Sequence, residues 1–419
     1  MYEVSSRFLR LGERVPGVLY EPVGLEGEKL TTVLVMHSDE DYLTCPTGPC
    51  LAERGFRVLQ ANPPIKEGLF FNQDRKTHAV LAAMQYLKSR EDVGKIVLMG
   101  HSGGATLMTA YQAIAENGPD VFQGSERIYP YEDETELIPA DAVMLFDANW
   151  GNSVMQLFSL DPAVVSETNG RELDETLNLF DPRNGFDPKG SRFPEAFVRK
   201  FQRAQSARNK RILAAAQERL RLIRAGKGAF VDDEPLVIPG ANQVFFNNKL
   251  YAQDTRLMSH TEKPHPLVHP DGSVTEEIVY SLRGPENPVS LTDNMMDGAR
   301  LLTVKNYLSS YAIETDEDFG YDESHVWGIR WESACTSPVG NVRHIHVPLL
   351  TVGMTAGWEY LASETIYNEA ASEKKDIAFI EGADHKFRPA RHLEKTPGEF
   401  GDTVKTLHDF AARWLEQLQ

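Results

Sequence analysis

A serine flanked by glycines is the clearest chemical feature of the sequence, in the run Gly100-His101-Ser102-Gly103-Gly104. The apolar stretch KIVLMG precedes this run, and the helix-like stretch GGATLMTAYQAIAENG overlaps its end. A serine held in a tight turn from strand to helix exposes its hydroxyl beside the free N–H groups of the helix start. Those N–H groups can stabilise negative charge that develops during attack on a carbonyl. The sequence therefore predicts that Ser102 is a nucleophile.

A histidine should activate this serine, because a hydroxyl is a weak nucleophile until a base takes its proton. His385, in FIEGADHKF, directly follows the last predicted strand, where a loop would return it to the sheet edge. It is the best placed of the twelve histidines. His265, His269, His344 and His346 have spacings that suggest metal ligands, but no carboxylate pattern supports them, so we expect no metal site.

The predicted elements that position these residues alternate between strand and helix. The alternation runs through residues 1–150 and returns over 347–419, which predicts one α/β core domain with a mostly parallel sheet and helices on both faces. Residues 151–346 lack the alternation. We expect them to form a mainly helical insertion.

Four segments, VLVMHS, GHSGG, PLLTVG and EGADHKF, give the chain a resemblance to the α/β-hydrolase superfamily. The resemblance covers about residues 1–150 and 347–419. It implies that Ser102 is the nucleophile, that His385 is the base, and that the backbone N–H of Gly103 is one donor of an oxyanion hole.

The second oxyanion donor should come from the loop after VLVMHS. Many members of the superfamily have His-Gly in this loop, whereas this chain has His37-Ser38. By position, the resemblance implies that the backbone N–H of Asp39 is the second donor.

The acid that should orient the histidine is missing from its common position in the superfamily. That position, three residues after the glycine of PLLTVG, is Ala356. Glu359 and Glu364 follow closely, and Asp147 ends the strand-like AVMLFDAN. We rank Glu359 first because it is nearest to the vacated position. Glu364 ranks second because we expect it to open the following helix, where a carboxylate is stabilised without any catalytic role. Asp147 ranks third because an aspartate at that strand tip is often a turn residue.

The insertion at 151–346 falls where the superfamily often has a cap over its active site. The resemblance therefore implies a cap that limits the access of water and shapes the substrate pocket. Its aromatic residues, which favour an apolar or aromatic substrate but also suit the core of the cap itself, include Phe245, Phe246, Tyr251, Trp327 and Trp331.

These features together predict a serine hydrolase that cleaves a carboxylic ester or lactone through an acyl-enzyme on Ser102 and needs no cofactor. Two alternatives stay open. The same residues could hydrolyse a carbon–carbon bond in a diketone-like substrate. The fold could also serve a ligand receptor without hydrolytic activity, because a fold does not fix a function.

The composition disfavours some classes of binding partner and indicates a cellular location. A net charge of −18 disfavours nucleic acid and anionic membranes. The one basic stretch, 191–228, has apolar residues at helical spacing and is expected to be an amphipathic helix with a solvated basic face. No signal-like or membrane-spanning segment occurs in the sequence, and the three cysteines have no metal-type spacing, so we expect free thiols in a cytoplasmic protein. The choice between a monomer and a homo-oligomer stays open.

Overall fold

The computed structural model describes residues 1–12, 14–25, 27–64, 73–241, 249–285 and 298–418. Its strands are β1 (Val4–Arg10), β2 (Pro16–Pro22), β3 (Leu30–Met36), β4 (Arg57–Ala61), β5 (Val93–His101), β6 (Ala142–Phe146), β7 (Pro235–Pro239), β8 (His260–Val268), β9 (Val274–Tyr280), β10 (Ala299–Thr303), β11 (Glu314–Tyr321), β12 (Val326–Arg330), β13 (Leu349–Met354) and β14 (Lys375–Ile380). Its α-helices are α1 (Thr47–Ala52), α2 (Gln73–Lys88), α3 (Gly104–Asn117), α4 (Asn152–Phe158), α5 (Glu195–Arg224), α6 (Leu250–Gln253), α7 (Val304–Asn306), α8 (Pro338–Asn341), α9 (Ala362–Glu369) and α10 (Thr403–Gln417).

A ten-stranded sheet forms the centre of the fold, in the order β1-β2-β4-β3-β5-β6-β13-β14-β8-β9. The run from β4 to β8 pairs in parallel, and only the pairs β1–β2, β2–β4 and β8–β9 are antiparallel. Parallel strands need crossover connections, which here place helices against the sheet. The predicted mostly parallel α/β sheet is confirmed.

The strands at the centre of this sheet are buried on both faces. In β3, Leu34 and Met36 pack into one hydrophobic cluster with residues of α2 and α3, while Val33 and Val35 pack into a second cluster with residues of α1 and α10. Successive side chains of a strand point to opposite faces, so a strand that is apolar throughout requires helices on both sides. The two clusters are the two halves of the core.

The middle of the chain, residues 151–346, differs from the mainly helical insertion that we predicted. It contributes β8 and β9 to the edge of the central sheet, and it forms two small antiparallel sheets, β7 with β10 and β11 with β12. Pro264 and Pro266 made β8 difficult to predict from the sequence, because proline cannot donate a backbone hydrogen bond within a sheet and so argues against a strand. Both lie beyond the short stretch, Leu267 and Val268, that pairs with β14.

The long helix α5 accounts for the basic stretch. Its buried side includes Phe197, Phe201, Ile212 and Leu220, as the helical spacing predicted. One arginine, Arg208, is fully buried and donates through two nitrogens to the Glu167 carboxylate at 2.8 and 2.7 Å. The other side of the helix carries solvent-exposed basic residues, so the predicted amphipathic helix is confirmed.

Cys45, Cys50 and Cys335 form no disulfide with one another in the structure. Over the described ranges, none of the helices combines the length and the apolar character that crossing a membrane requires.

Candidate functional site

Ser102 lies in a sharp turn between the end of β5 and the start of α3. Its φ is 53°, in the left-handed region that residues other than glycine rarely adopt. The turn is fixed on both sides, because Ser102 N donates to Phe146 O at 3.2 Å and Ala105 N donates to Ser102 O at 3.1 Å. A strained residue that its surroundings hold in place is typical of functional sites.

The glycines on either side allow the backbone to approach closely. A Cβ on Gly100 would lie 2.6 Å from Ala105 N, and one on Gly104 would lie 2.7 Å from Met36 O. Both contacts are with backbone atoms, which cannot rotate away. The turn at Ser102 therefore requires glycine at these two positions.

We expect Gly100→Ala to destabilise the protein by about 1–3 kcal/mol, since the added methyl group forces the backbone of the turn to shift. Thermal unfolding measures this as a lower melting temperature. Gly12→Ala is the matched control, because the nearest atom to its Cβ would be 3.7 Å away, at an ordinary contact distance. An unchanged melting temperature for Gly100→Ala would contradict the packing described for this turn.

His385 lies in the loop after β14, and its ring faces two carboxylates. His385 Nδ1 is 2.6 Å from Asp147 Oδ2, a hydrogen-bond distance, and 3.7 Å from Glu359 Oε2. Burial by itself lowers the pKa of His385, but Glu359 and Asp147 outweigh burial and the net pKa is raised. The geometry thus places Asp147, which we ranked third, in hydrogen-bond contact, and Glu359, which we ranked first, just beyond it.

Asp147 is held rigidly at the tip of β6. It is fully buried, with a φ of 40°. Asp147 N donates to Val352 O at 2.7 Å, and Asp147 Oδ1 accepts from Met354 N at 2.9 Å. These bonds leave Asp147 Oδ2 directed to His385. The neighbouring strand β13 therefore positions the carboxylate.

Glu364, our second-ranked acid, lies elsewhere. Its carboxylate accepts hydrogen bonds from the backbone N–H groups of Glu262 and Lys263, at 2.9 and 3.1 Å, and it lies 2.8 Å from His265 Nε2. Glu364 therefore ties the start of β8 to α9. The structure does not bring its carboxylate to His385.

His101, the residue before the serine, supports the loop that carries His385. His101 Nε2 lies 2.7 Å from His385 O, and His101 Nδ1 is hydrogen-bonded to the Tyr42 hydroxyl. Burial lowers the pKa of His101 well below its ordinary value, so the ring is neutral and donates from Nε2 to the carbonyl. Sequence reasoning missed this role, although His101 occupies the variable position of the glycine-serine motif.

The loop after β3 approaches the turn at Ser102. A Cβ on Gly103 would lie 2.9 Å from Ser38 Oγ. The backbone N–H of Asp39, our predicted second oxyanion donor, instead donates to His37 Nδ1 at 3.0 Å. Over the described ranges, the N–H groups of Gly103 and Ser38 form no hydrogen bond. The N–H groups that stay available as donors are therefore those of Gly103 and Ser38. The N–H group of Asp39 is already used in its hydrogen bond to His37.

The side chain of Asp39 stabilises this loop. Asp39 accepts from Lys76 Nζ at 2.8 Å and from Ser38 Oγ at 2.7 Å. The Asp39 side chain is 44% exposed, so only partial desolvation acts to raise its pKa, and Lys76 and Ser38 outweigh that effect and hold the pKa well below its usual range. The ionised carboxylate fixes Ser38 beside the turn.

The ligand atoms of Asp147, Glu359 and His385 lie within 4.8 Å of one another, close enough to consider a metal ion. Two ligands of one tetrahedral zinc ion are about 3.3 Å apart, given bonds of about 2.0 Å. The 2.6 Å between His385 Nδ1 and Asp147 Oδ2 is shorter and fits a shared proton.

The four histidines with metal-like spacing are dispersed among other partners. His265 lies against Glu364, His269 Nδ1 is 2.7 Å from Glu381 Oε2, and His346 Nδ1 is 3.3 Å from Glu116 Oε2. His344 packs edge-on against Phe122. Each histidine is thus accounted for by its own neighbours.

The predicted cap aromatics are divided between core and surface. Tyr251 and Trp331 are buried in the larger hydrophobic cluster, and Phe245 and Phe246 lie outside the described residues. Trp327 lines an open cavity of about 1010 Å³ between α5 and β11, whose lining includes neither Ser102 nor His385. A role of these aromatics in substrate binding stays a prediction.

Comparisons with known proteins gave matches only among solved structures. No family model and no curated protein matches the sequence. Est1E from Butyrivibrio proteoclasticus has 11% identity and a TM-score of 0.42, over 99% of this chain and 98% of Est1E. The siderophore hydrolase EstB from Aspergillus fumigatus has 13% identity and a TM-score of 0.41, over 99% and 98%. A bacterial heroin esterase has 10% identity and a TM-score of 0.41, over 99% and 84%.

Proposed function

We propose that the chain, whose motifs and mostly parallel sheet resemble those of α/β-hydrolases, is a serine hydrolase that cleaves a carboxylic ester or lactone. The observation that carries the proposal is the 2.6 Å contact between His385 Nδ1 and Asp147 Oδ2, at the same sheet edge as the strained Ser102. The order along the chain, serine then acid then histidine, is the one this fold uses.

The proposed reaction begins with attack by Ser102 Oγ on the carbonyl carbon of the ester. The serine proton passes to His385 Nε2, and Asp147 stabilises the imidazolium through Nδ1. The carbonyl oxygen becomes an oxyanion, which accepts hydrogen bonds from the N–H groups of Gly103 and Ser38.

The intermediate then collapses to an acyl-enzyme. The bond between the carbonyl carbon and the alcohol oxygen breaks, and His385 gives its proton to the departing alcohol. Water repeats the sequence on the acyl group of Ser102 and releases the carboxylic acid. Every step uses residues of this chain, with no cofactor.

A fluorophosphonate probe tests the proposal directly. We expect it to label Ser102 covalently, because the activated hydroxyl attacks phosphorus, the P–F bond breaks to release fluoride, and the free N–H groups hold the phosphoryl oxygen. Mass spectrometry of a digest identifies the labelled peptide, and heat-denatured protein is the control.

The outcome separates the proposal from its alternatives. Labelling of Ser102 with hydrolysis of p-nitrophenyl esters supports the ester hydrolase. Labelling without hydrolysis of any ester or lactone would favour the carbon–carbon bond hydrolase. Folded protein that the probe does not label would favour a ligand receptor without catalytic activity.

A further inference from the structure

Two carboxylates converge on one nitrogen of His385, although the proposed triad uses only one of them. Glu359 Oε2 lies 3.7 Å from His385 Nδ1, on the loop between β13 and α9. The Glu359 residue is 2% exposed, and among the residues that the structure describes its Oε2 has no hydrogen-bond partner. We propose that Glu359 is a positioning residue that shares the charge of the His385 imidazolium with Asp147 and so sets the pH range of activity. The inference rests on the proposed function.

A buried carboxylate oxygen without a donor is costly unless a positive charge lies nearby. Burial raises the pKa of Glu359, and the imidazolium of His385 acts in the opposite direction. Asp147 adds to the rise, because two neighbouring carboxylates repel each other. An additional proton is therefore favoured in the cluster, held either on Glu359 or on His385.

The remaining charged and titratable groups around the cluster do not replace this role. Lys249 favours the ionised form of Glu359, and Arg283 is attracted to it, yet the net pKa of Glu359 is still raised. The groups that act on Glu359 or His385 from the surrounding elements are Glu40, His37, His101, Lys249, Tyr251 and Arg283. Only Asp147 and Glu359 form an ion-pair contact with the His385 ring in the described part of the chain.

The sign of the effect follows from the charge. A negative Glu359 stabilises the imidazolium, which raises the pKa of His385 and keeps the ring protonated to a higher pH. Catalysis needs the neutral ring, so activity falls as the pH drops through this pKa. Removal of the Glu359 charge should therefore extend activity to lower pH.

We expect Glu359→Gln to move the acid limb of the kcat/KM profile down by about 1–2 pH units, because a full charge at this distance has an effect of that order or larger. When each kcat/KM is expressed as a fraction of the plateau value of the same enzyme, the glutamine variant should be about tenfold more active than the wild type at pH 6. The profile is measured as the hydrolysis of p-nitrophenyl acetate from about pH 5 to 10. This range spans the pH values over which we expect His385 to titrate.

Two further variants keep this test decisive. Glu359→Met removes the charge without leaving a buried amide, so it substitutes if the glutamine variant does not fold. Glu40→Gln is the matched control: it removes one charge that also acts on His385 but is exposed, and screening should limit its shift to about 0.3 pH unit.

An NMR titration of the His385 imidazole separates this inference from the proposed function, since it needs no turnover. His385→Gln assigns the resonance. A titration that moves to lower pH in Glu359→Gln or Glu359→Met, but not in Glu40→Gln, supports the inference even if Ser102 is never labelled. A His385 titration that is the same within about 0.3 pH unit in wild type and both Glu359 variants overturns it, whatever the enzyme hydrolyses.

Discussion

Ser102→Ala is expected to lower kcat for p-nitrophenyl ester hydrolysis by about a million-fold, because it removes the only atom that would bond to the substrate. The fold should persist, since the Ser102 hydroxyl makes no hydrogen bond within the described ranges and the turn is held by backbone bonds. Alanine also tolerates the space, so thermal unfolding should change little. A steady-state assay and a melting curve measure the two effects.

Ser89→Ala provides the matched control for this change. Ser89 is exposed, and in the described part of the chain its hydroxyl donates to Tyr86 O alone, so its loss should leave the rate at the wild-type value. Activity of Ser102→Ala above about one per cent of wild type, in protein free of contaminating esterases, would rule out Ser102 as the nucleophile.

Asp147→Asn should lower kcat by about ten-thousand-fold, as the wrong histidine tautomer does in a serine triad. The amide nitrogen of asparagine would face His385 Nδ1 and favour the tautomer with its proton on Nε2, where the serine proton must go. The same assay measures the loss, and unfolding should confirm that the bonds from Met354 and to Val352 still hold the residue in place.

The loss of kcat in Asp147→Asn should be compared with that in Glu359→Gln. At the pH of its own plateau, the glutamine variant should retain most of its activity, because Glu359 lies beyond hydrogen-bond distance from the ring. If Glu359→Gln instead showed the ten-thousand-fold loss and Asp147→Asn did not, then Glu359 would be the triad acid and our original ranking would stand.

Local patterns in the sequence were enough to place the serine and the histidine. Ser102 follows an apolar strand and precedes a helix, and His385 follows the last strand of the sheet, so both positions are read from neighbours along the chain. The structure brings both to one edge of the sheet. Their catalytic roles stay predictions that the variants above test.

Local sequence patterns could not rank the candidate acids correctly by distance, because the carboxylate that reaches His385 depends on the spacing between three neighbouring strands. Asp147 and Glu359 are more than two hundred residues apart, yet both carboxylates face the same ring nitrogen, and a difference of about 1 Å decides which one forms the hydrogen bond. The choice of the second oxyanion donor depends on a similar local detail at Asp39. The His37 side chain folds back onto its N–H, and neither spacing nor residue type reveals such a bond.

The middle of the chain was the least predictable part of the fold. Its strands β8 and β9 carry prolines, charged residues and a register irregularity, which together obscure the alternation that normally identifies a strand. The place of β8 beside β14 depends on contacts with residues more than one hundred positions away. Long-range pairing of this kind leaves little trace in local sequence.

The contribution of β8 and β9 to the central sheet changes how residues 151–346 can move. A lid joined to a domain only through two linkers can swing as a unit, whereas this segment is also fastened by backbone pairing to β14 and by the Glu364 carboxylate to α9. Swinging the whole segment would break those bonds and uncover the outer edge of β14, which is a template for pairing with another chain. We therefore expect movements of this segment to be confined to smaller parts of it, while β8 and β9 stay paired with the sheet.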